Sequence, residues 1–331
     1  FLPNNYYDTK LRITQPILQP EVKYNKLIKQ EELNLAGLAT DQTTRDLVRD
    51  VKTTYLQWKQ AHDAIEILNQ GLSLLAENKR ITESLIKNGA GLPSALIRIE
   101  SEITTVNAQK QKATSDLANA AAYFNFLLAR PAESSIESDS IPDVPEMKDD
   151  LTITGREELQ QIKSGNHLQN LAMTLEEKHF APRLGVQVDV GSQEFVPNWG
   201  GYFLGGVQLE VPIWDNKKSK LRRQAWASSI ASGDAQYEWT RSAFEIQLQN
   251  EQRSLASDLA VYESYTQVLA SNQRYYEETV KRYKEGLANY IELLDARTEI
   301  TNTRLQQNIA KYQAWIRQAN IERMSASAAI Q

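Results

Sequence analysis

Arg183-Leu184-Gly185-Val186-Gln187-Val188-Asp189-Val190 alternates without a break, placing Leu184, Val186, Val188 and Val190 on one face. Tyr202 to Ile213 does the same, with Phe203, Val207, Leu209, Val211 and Ile213 opposite Gln208 and Glu210. Near the start of the chain Thr9, Leu11 and Ile13 alternate with Lys10, Arg12 and Thr14. A period of two marks a β-strand with one apolar and one polar face. These runs, at about 7–16, 183–191 and 202–213, approach the roughly 9–11 residues of a tilted strand that crosses a membrane. In isolation they read as a half-buried soluble sheet. Their surroundings reverse that reading.

Nearly everything else is helix. No proline interrupts the chain between Glu21 and Ile86, and Leu47, Val51, Tyr55, Trp58, Ala61, Ile65, Leu68, Leu72 and Leu75 recur every three or four residues. A second run, from Lys217 to Lys284, carries Phe244, Leu248, Leu255, Leu259, Tyr262, Leu269, Tyr276, Val280 and Tyr283 in a nearly strict seven-residue repeat. Each run, at about 65 residues, extends ~100 Å as one helix, which is coiled-coil length. A glycine break follows each. Lys87-Asn88-Gly89-Ala90-Gly91-Leu92-Pro93 leads into a helix to Ala129, and Lys284-Glu285-Gly286-Leu287-Ala288-Asn289 into a helix to Met324. Two antiparallel hairpins result. A Ser-, Pro- and acid-rich linker, 132–154, separates them, and a further helix covers about 156–180. Three short strands among such helices have no local core to cover, so their apolar faces call for lipid.

Composition narrows the function. The chain of 331 residues has 37 Lys plus Arg against 42 Asp plus Glu, no cysteine and a net charge of −5. That balance argues against a nucleic-acid binder with a basic surface. Without cysteine there is no disulfide framework, thiolate metal site or thiol nucleophile. No run reaches the ~18 apolar residues of a membrane-spanning helix. The histidines, His62, His167 and His179, show no metal-binding spacing, and neither a phosphate loop nor a nucleophile elbow occurs. No catalytic residue, metal or cofactor is expected.

The chain also repeats itself. Phe1-Leu2-Pro3-Asn4 matches Phe195-Val196-Pro197-Asn198, Gln15-Pro16-Ile17-Leu18 matches Val211-Pro212-Ile213-Trp214, and Asn88-Gly89 falls against Glu285-Gly286. An offset of about 194–197 residues through strand, helix and turn indicates a tandem duplication, with 1–131 as the first repeat and 155–331 as the second. The second repeat has a helix and a strand ahead of its Phe-Val-Pro-Asn loop. The first is expected to have the same pieces, roughly 100 residues, ahead of Phe1.

The order Ala181-Pro182-Arg183 strand, Val211-Pro212-Ile213-Trp214-Asp215, long helix, Arg282-Tyr283-Lys284-Glu285-Gly286 and Glu292-Leu293-Leu294-Asp295-Ala296 resembles the TolC-type outer-membrane efflux protein family. Arg156-Glu157-Glu158-Leu159 is similar to the motif that opens the family's second repeat. The resemblance covers essentially the whole chain. It implies a mainly α fold with a small β part, in which long antiparallel coiled-coil helices form a trimeric α-barrel, a periplasmic tunnel, below a shared 12-stranded transmembrane β-barrel. It implies a homotrimer in the outer membrane of a Gram-negative bacterium, serving as passive exit duct for a periplasmic adaptor (membrane fusion) protein and an inner-membrane pump.

Under that resemblance the two glycine turns form the periplasmic tip. Gly89, Leu92, Gly286 and Leu287 would contact the adaptor, with Tyr283 at the aperture. Some members latch the aperture with an Asp–Arg pair; the aligned positions here are Ala95 and Ala288. Lys10, Arg12, Gln187, Asp189, Gln208 and Glu210 would line the barrel lumen if the apolar face meets lipid. Phe195, Trp199, Tyr202, Phe203 and Trp214 would mark the membrane interface. Lys217, Lys218, Arg222 and Arg223, just after Trp214, read as a solvated helix start or a contact with the membrane surface. The rival from another class is a soluble coiled-coil scaffold with the strands as a capping sheet.

Overall fold

The computed structural model describes residues 7–89, 91–147, 151–195, 198–285 and 287–326. Phe1, Val196, Pro197 and Gly286 therefore lie outside the described residues. In chain order the elements are β1 (Tyr7–Leu18), α1 (Pro20–Lys87), α2 (Pro93–Leu127), α3 (Glu157–Glu177), β2 (Arg183–Phe195), β3 (Asn198–Glu210), α4 (Lys218–Lys284) and α5 (Tyr290–Ser325). Strand, long helix and shorter helix occur twice with nearly equal lengths, 12, 68 and 35 residues, then 13, 67 and 36.

Compact packing does not follow that duplication. One unit joins Phe1–Gln42 to Glu157–Ser242, and the other joins Thr43–Arg156 to Ala243–Gln331. The boundaries fall inside α1 and α4, so each long helix contributes to both units.

In the first unit β1, β2 and β3 form one antiparallel sheet in that order. Both β2 and β3 extend beyond the expected ends of their hairpin, and β3 stops at Glu210 rather than Ile213. Gly200 and Gly201, which lie between the expected strands, pair with Gln193 and Ser192. An antiparallel ladder satisfies their backbone groups, and small residues do not obstruct it. Helix α3 is tied to the start of α1 and to the start of α4: Asn34 Nδ2 donates to Ser164 Oγ at 3.0 Å, and Asn166 Nδ2 to Asp234 Oδ1 at 2.8 Å.

In the second unit the core lies among α1, α2 and α5, where Leu68, Leu75, Ile99, Val106 and Leu294 are almost fully buried. Trp58 and Ala61 of the expected α1 stripe are buried, while Leu47 is 42% exposed. Helix α4 joins through Leu255, which is buried, and through polar contacts to α5 such as Asn272 Nδ2 to Thr303 Oγ1 at 2.9 Å. The described residues of the linker are without helix or strand, and the segment is strapped down. Asn125, fully buried, donates to the carbonyls of Ala132 and Ser134. Tyr55 Oη accepts from the amide of Asp139 at 2.9 Å, and Trp315 Nε1 donates to the carbonyl of Pro142 at 3.0 Å.

Candidate functional site

The sheet separates its side chains by chemistry. Register pairs Leu11 with Val190 and Val190 with Phe203, and Val186 with Val207. One face thus carries Leu11, Ile13, Phe203, Val207 and Leu209, all between 57% and 73% exposed. No element of the first unit's described residues covers it. The opposite face carries the polar set. Arg12 Nε and Nη2 donate to the two carboxylate oxygens of Asp189, each at 2.9 Å, a bidentate pair. Gln187 Nε2 donates to the same carboxylate at 3.0 and 3.1 Å. Lys10 lies 3.4 Å from Asp8. Gln208 is opposite Gly185, and Glu210 accepts from Arg183 Nη1 at 3.0 Å. Arg183 also bonds Glu21 in the first turn of α1, which ties the root of β2 to that helix. Alternation places the polar residues on one face; it gives no sign of the Arg183 pairing, which joins positions more than 160 residues apart.

Tyr202, expected at the membrane interface, lies on the polar face of the sheet. It is opposite Gly191 in register, and its hydroxyl donates to Asp8 Oδ1 at 3.0 Å. A Cβ on Gly191 would stand 2.7 Å from the Tyr202 ring, so the ring lies over that glycine on the polar face. Its odd–even phase, one residue before Phe203, dictates this. Phe195 and Trp199 fall at the closed end of the β2–β3 hairpin, paired with Asn198 and Glu194. Trp214, just beyond β3, is 81% exposed.

In the second unit the two turns lie at one end, since Arg98 near the start of α2 is 3.5 Å from Asp295 near the start of α5. Gly89 takes φ +75°, a left-handed conformation that closes α1, and its amide donates to the carbonyl of Ile86. Leu92 precedes Pro93, the first residue of α2, and is 67% exposed; Leu287 is 66% exposed. Asn289 Oδ1 accepts from the amide of Glu292 at 2.9 Å and caps α5. Arg282 Nη2 donates to the carbonyl of Leu287 at 3.3 Å and approaches Glu292 at 4.0 Å. Ala95 is buried, and its methyl offers no latch. Tyr283 meets Tyr290 edge to face at 6.0 Å between centroids. Burial pushes the Tyr290 phenol above its usual range and the Arg297 guanidinium, beside the Tyr276 ring, below its own. Gly286 of the second turn lies outside the described residues.

Among the described residues no group of His, Asp and Glu is placed to hold a metal, and no helix is long and apolar enough to cross a membrane. The model of a family described as outer membrane efflux protein matches residues 156–327, more than half of the chain. The chain belongs to the outer membrane efflux protein family.

Its relatives in that family include the solvent efflux pump outer membrane protein SrpC of Pseudomonas putida, 22% identical over 287 residues. Another is the probable outer membrane lipoprotein SilC of Salmonella typhimurium, 21% identical over 282 residues. Each match takes in 80% of this chain and 59% of the relative, so the chain spans about three fifths of their length. The fold is that of solved family channels. The outer-membrane channel OprN superposes with a TM-score of 0.79 at 14% identity, over 98% of this chain and 81% of that one. The MtrE channel of Neisseria gonorrhoeae, in its open state, gives 0.78 at 13% identity, over 98% and 80%. In this efflux family, then, the chain is a mainly helical protein with a small antiparallel sheet.

Proposed function

We propose that the chain is the exit duct of a tripartite efflux or type I secretion system. Three copies close a shared 12-stranded barrel in the outer membrane and a helical tunnel in the periplasm. Cargo moves through it passively. The observation that carries this reading is the uncovered apolar face of the sheet, from Leu11 to Leu209, set back to back with a charged face. Water is a poor solvent for such a face, and hydrocarbon a good one, provided every backbone group is paired in a closed barrel. A scaffold protein has no use for apolar strands of this length.

Lys10, Arg12, Gln187, Asp189, Gln208 and Glu210 then line the lumen. Both signs of charge are present, and the Arg12–Asp189 pair largely cancels, which suits a wet pore of weak selectivity. The adaptor meets Gly89, Leu92, Gly286 and Leu287 at the tip, and Tyr283 bounds the aperture. Arg98–Asp295 and Arg282–Glu292 brace the two turns in place of the Asp–Arg latch. The protein does no chemistry, and the inner-membrane pump supplies the energy. The test is export in cells that lack their own exit duct but retain pump and adaptor. Restored export is expected; an abundant, membrane-inserted trimer that restores nothing with any cognate pump overturns the reading.

A further inference from the structure

The apolar stripe of β3 does not stop with the strand. Val207, Leu209, Val211 and Ile213 share its phase and are all exposed, Ile213 at 90%, and Trp214 beside it is 81% exposed. The backbone then turns through Asn216 and Lys217, both at positive φ, into α4. Asp215 Oδ2 accepts from the amide of Ser219 at 2.7 Å and caps the turn; hydrogen bonds from the Ser219 side chain and from its amide hold the Asp215 carboxyl below the usual range. Across this turn the chemistry reverses. Lys217, Lys218, Lys220, Arg222 and Arg223 follow within seven residues, all exposed.

Five cations at this place are unusual. A helix N-terminus carries partial positive charge and favours acids in its first turn; α1, α3 and α5 have them, α2 and α4 have none, and α4 alone begins with a run of cations. Arg222 reaches Glu176 at 3.5 Å. Lys217, Lys218, Lys220 and Arg223 form no ion pair among the described residues. The cluster therefore repels itself and its own helix, and an external anion is the complement it fits.

Position decides which anion. The stripe that lies in hydrocarbon ends at Ile213, and the headgroup layer beyond is about 5–8 Å thick. The four residues from Ile213 to Lys217 are more than enough chain to cross it before the turn at Asn216 and Lys217, so Lys217 and the residues after it emerge at the phosphates. Trp214 sits between, where an indole prefers to lie. Leu221, 63% exposed, adds an apolar contact amid the cations.

We propose that Ile213, Trp214, Lys217, Lys218, Lys220 and Arg223 form an interfacial anchor that binds the phosphates of anionic phospholipids in the periplasmic leaflet. The anchor fixes the depth of the barrel and the point at which α4 leaves the membrane. It rests on the outer-membrane channel reading. Each cation near an anionic surface strengthens association about fivefold, and salt screens the effect.

The test uses the full-length trimer reconstituted in bilayers, with spin-labelled phosphatidylglycerol and phosphatidylcholine as probes. The wild type is expected to hold phosphatidylglycerol in preference, and the preference falls in about 0.5 M salt by the same screening. The variant K217Q/K218Q/K220Q/R223Q, checked to be trimeric, is expected to hold both lipids alike. Brominated lipids are expected to quench wild-type fluorescence more than that of W214F. Equal preference in wild type and quadruple variant overturns the anchor, as does a Trp214 that bromine does not quench. A protein that enters no bilayer contradicts the channel reading instead.

Discussion

Tyr312 of α5, fully buried, donates its phenolic proton to Asp63 of α1 across 2.6 Å. Lys59 reaches the same carboxylate at 3.1 Å, and His62 stands 3.3 Å away. Burial alone would raise the Asp63 pKa; the hydrogen bonds from Tyr312, Lys59 and His62 outweigh it and hold the carboxyl below its ordinary 3.8. Burial and the adjacent carboxylate both push the Tyr312 phenol above its ordinary 10.0. The signs follow. A depressed acid contributes stability at pH above 3.8 that is lost as pH falls through its folded value. A raised phenol contributes stability below pH 10 that is lost as pH rises toward its own. The pair is thus fully engaged between about pH 4 and 10. Tyr312→Phe is expected to lower stability by about 1–3 kcal/mol in that window and by less outside it, read as urea midpoints across pH. An equal deficit at every pH contradicts the assignment.

The Arg12–Asp189 pair, proposed to line the lumen, can be opened from either side. Asp189 is 4% exposed and holds Arg12 by two bonds. Asp189→Asn leaves an uncompensated guanidinium group in every protomer and is expected to shift the reversal potential in a KCl gradient toward anion selectivity. Arg12→Gln is expected to shift it toward cations. Shifts of the same sign would place the pair outside the conduction path.

Adjacent positions on β3 should respond oppositely to one charge. Val207→Arg puts a cation on the apolar face, at a cost of about 2–4 kcal/mol near the bilayer midplane. Gln208→Arg puts it on the polar face, where water is available. Membrane-inserted trimer is expected to drop sharply for the first and hardly for the second. The reverse order would mean that the two faces are exchanged.

At the tip, a methyl group on Gly89 would meet nothing within 4 Å, and only the φ of +75° resists substitution. Gly89→Val is expected to strain the turn by about 1–2 kcal/mol. Gly91→Ala meets Ile86 at 2.8 Å and displaces it. Both variants should assemble as trimers yet export less. Leu92→Glu and Leu287→Glu are expected to weaken adaptor binding without altering conductance, measured by titrating adaptor onto reconstituted trimer.

Which parts are legible in sequence follows from the range of the interaction. The faces of β1, β2 and β3 depend on alternation within about ten residues, so Gln187 and Asp189 share a face by sequence alone, and matching the apolar faces of the two strands brings Arg12 to the same side. Tyr202 escapes a reading by aromatic type, because phase decides its face. The ends of the β2–β3 hairpin escape because Gly200 and Gly201 signal a loop unless a partner strand is already there. Tyr312–Asp63 and Arg98–Asp295 join helices far apart in the chain, and their meeting depends on rotations that a heptad pattern leaves open. The linker shows the same limit: Ser and Pro announce an absence of helix, while the bonds from Tyr55, Asn125 and Trp315 that pin it down belong to tertiary structure.

The central claim is that the apolar face of this sheet is covered by lipid in a trimer. Its most direct test is the native mass of the full-length protein, extracted from membranes in mild detergent beside a detergent-free control. A trimer released only by detergent is the predicted result. A species that is soluble and monodisperse without detergent would contradict the barrel and leave a coiled-coil scaffold in its place.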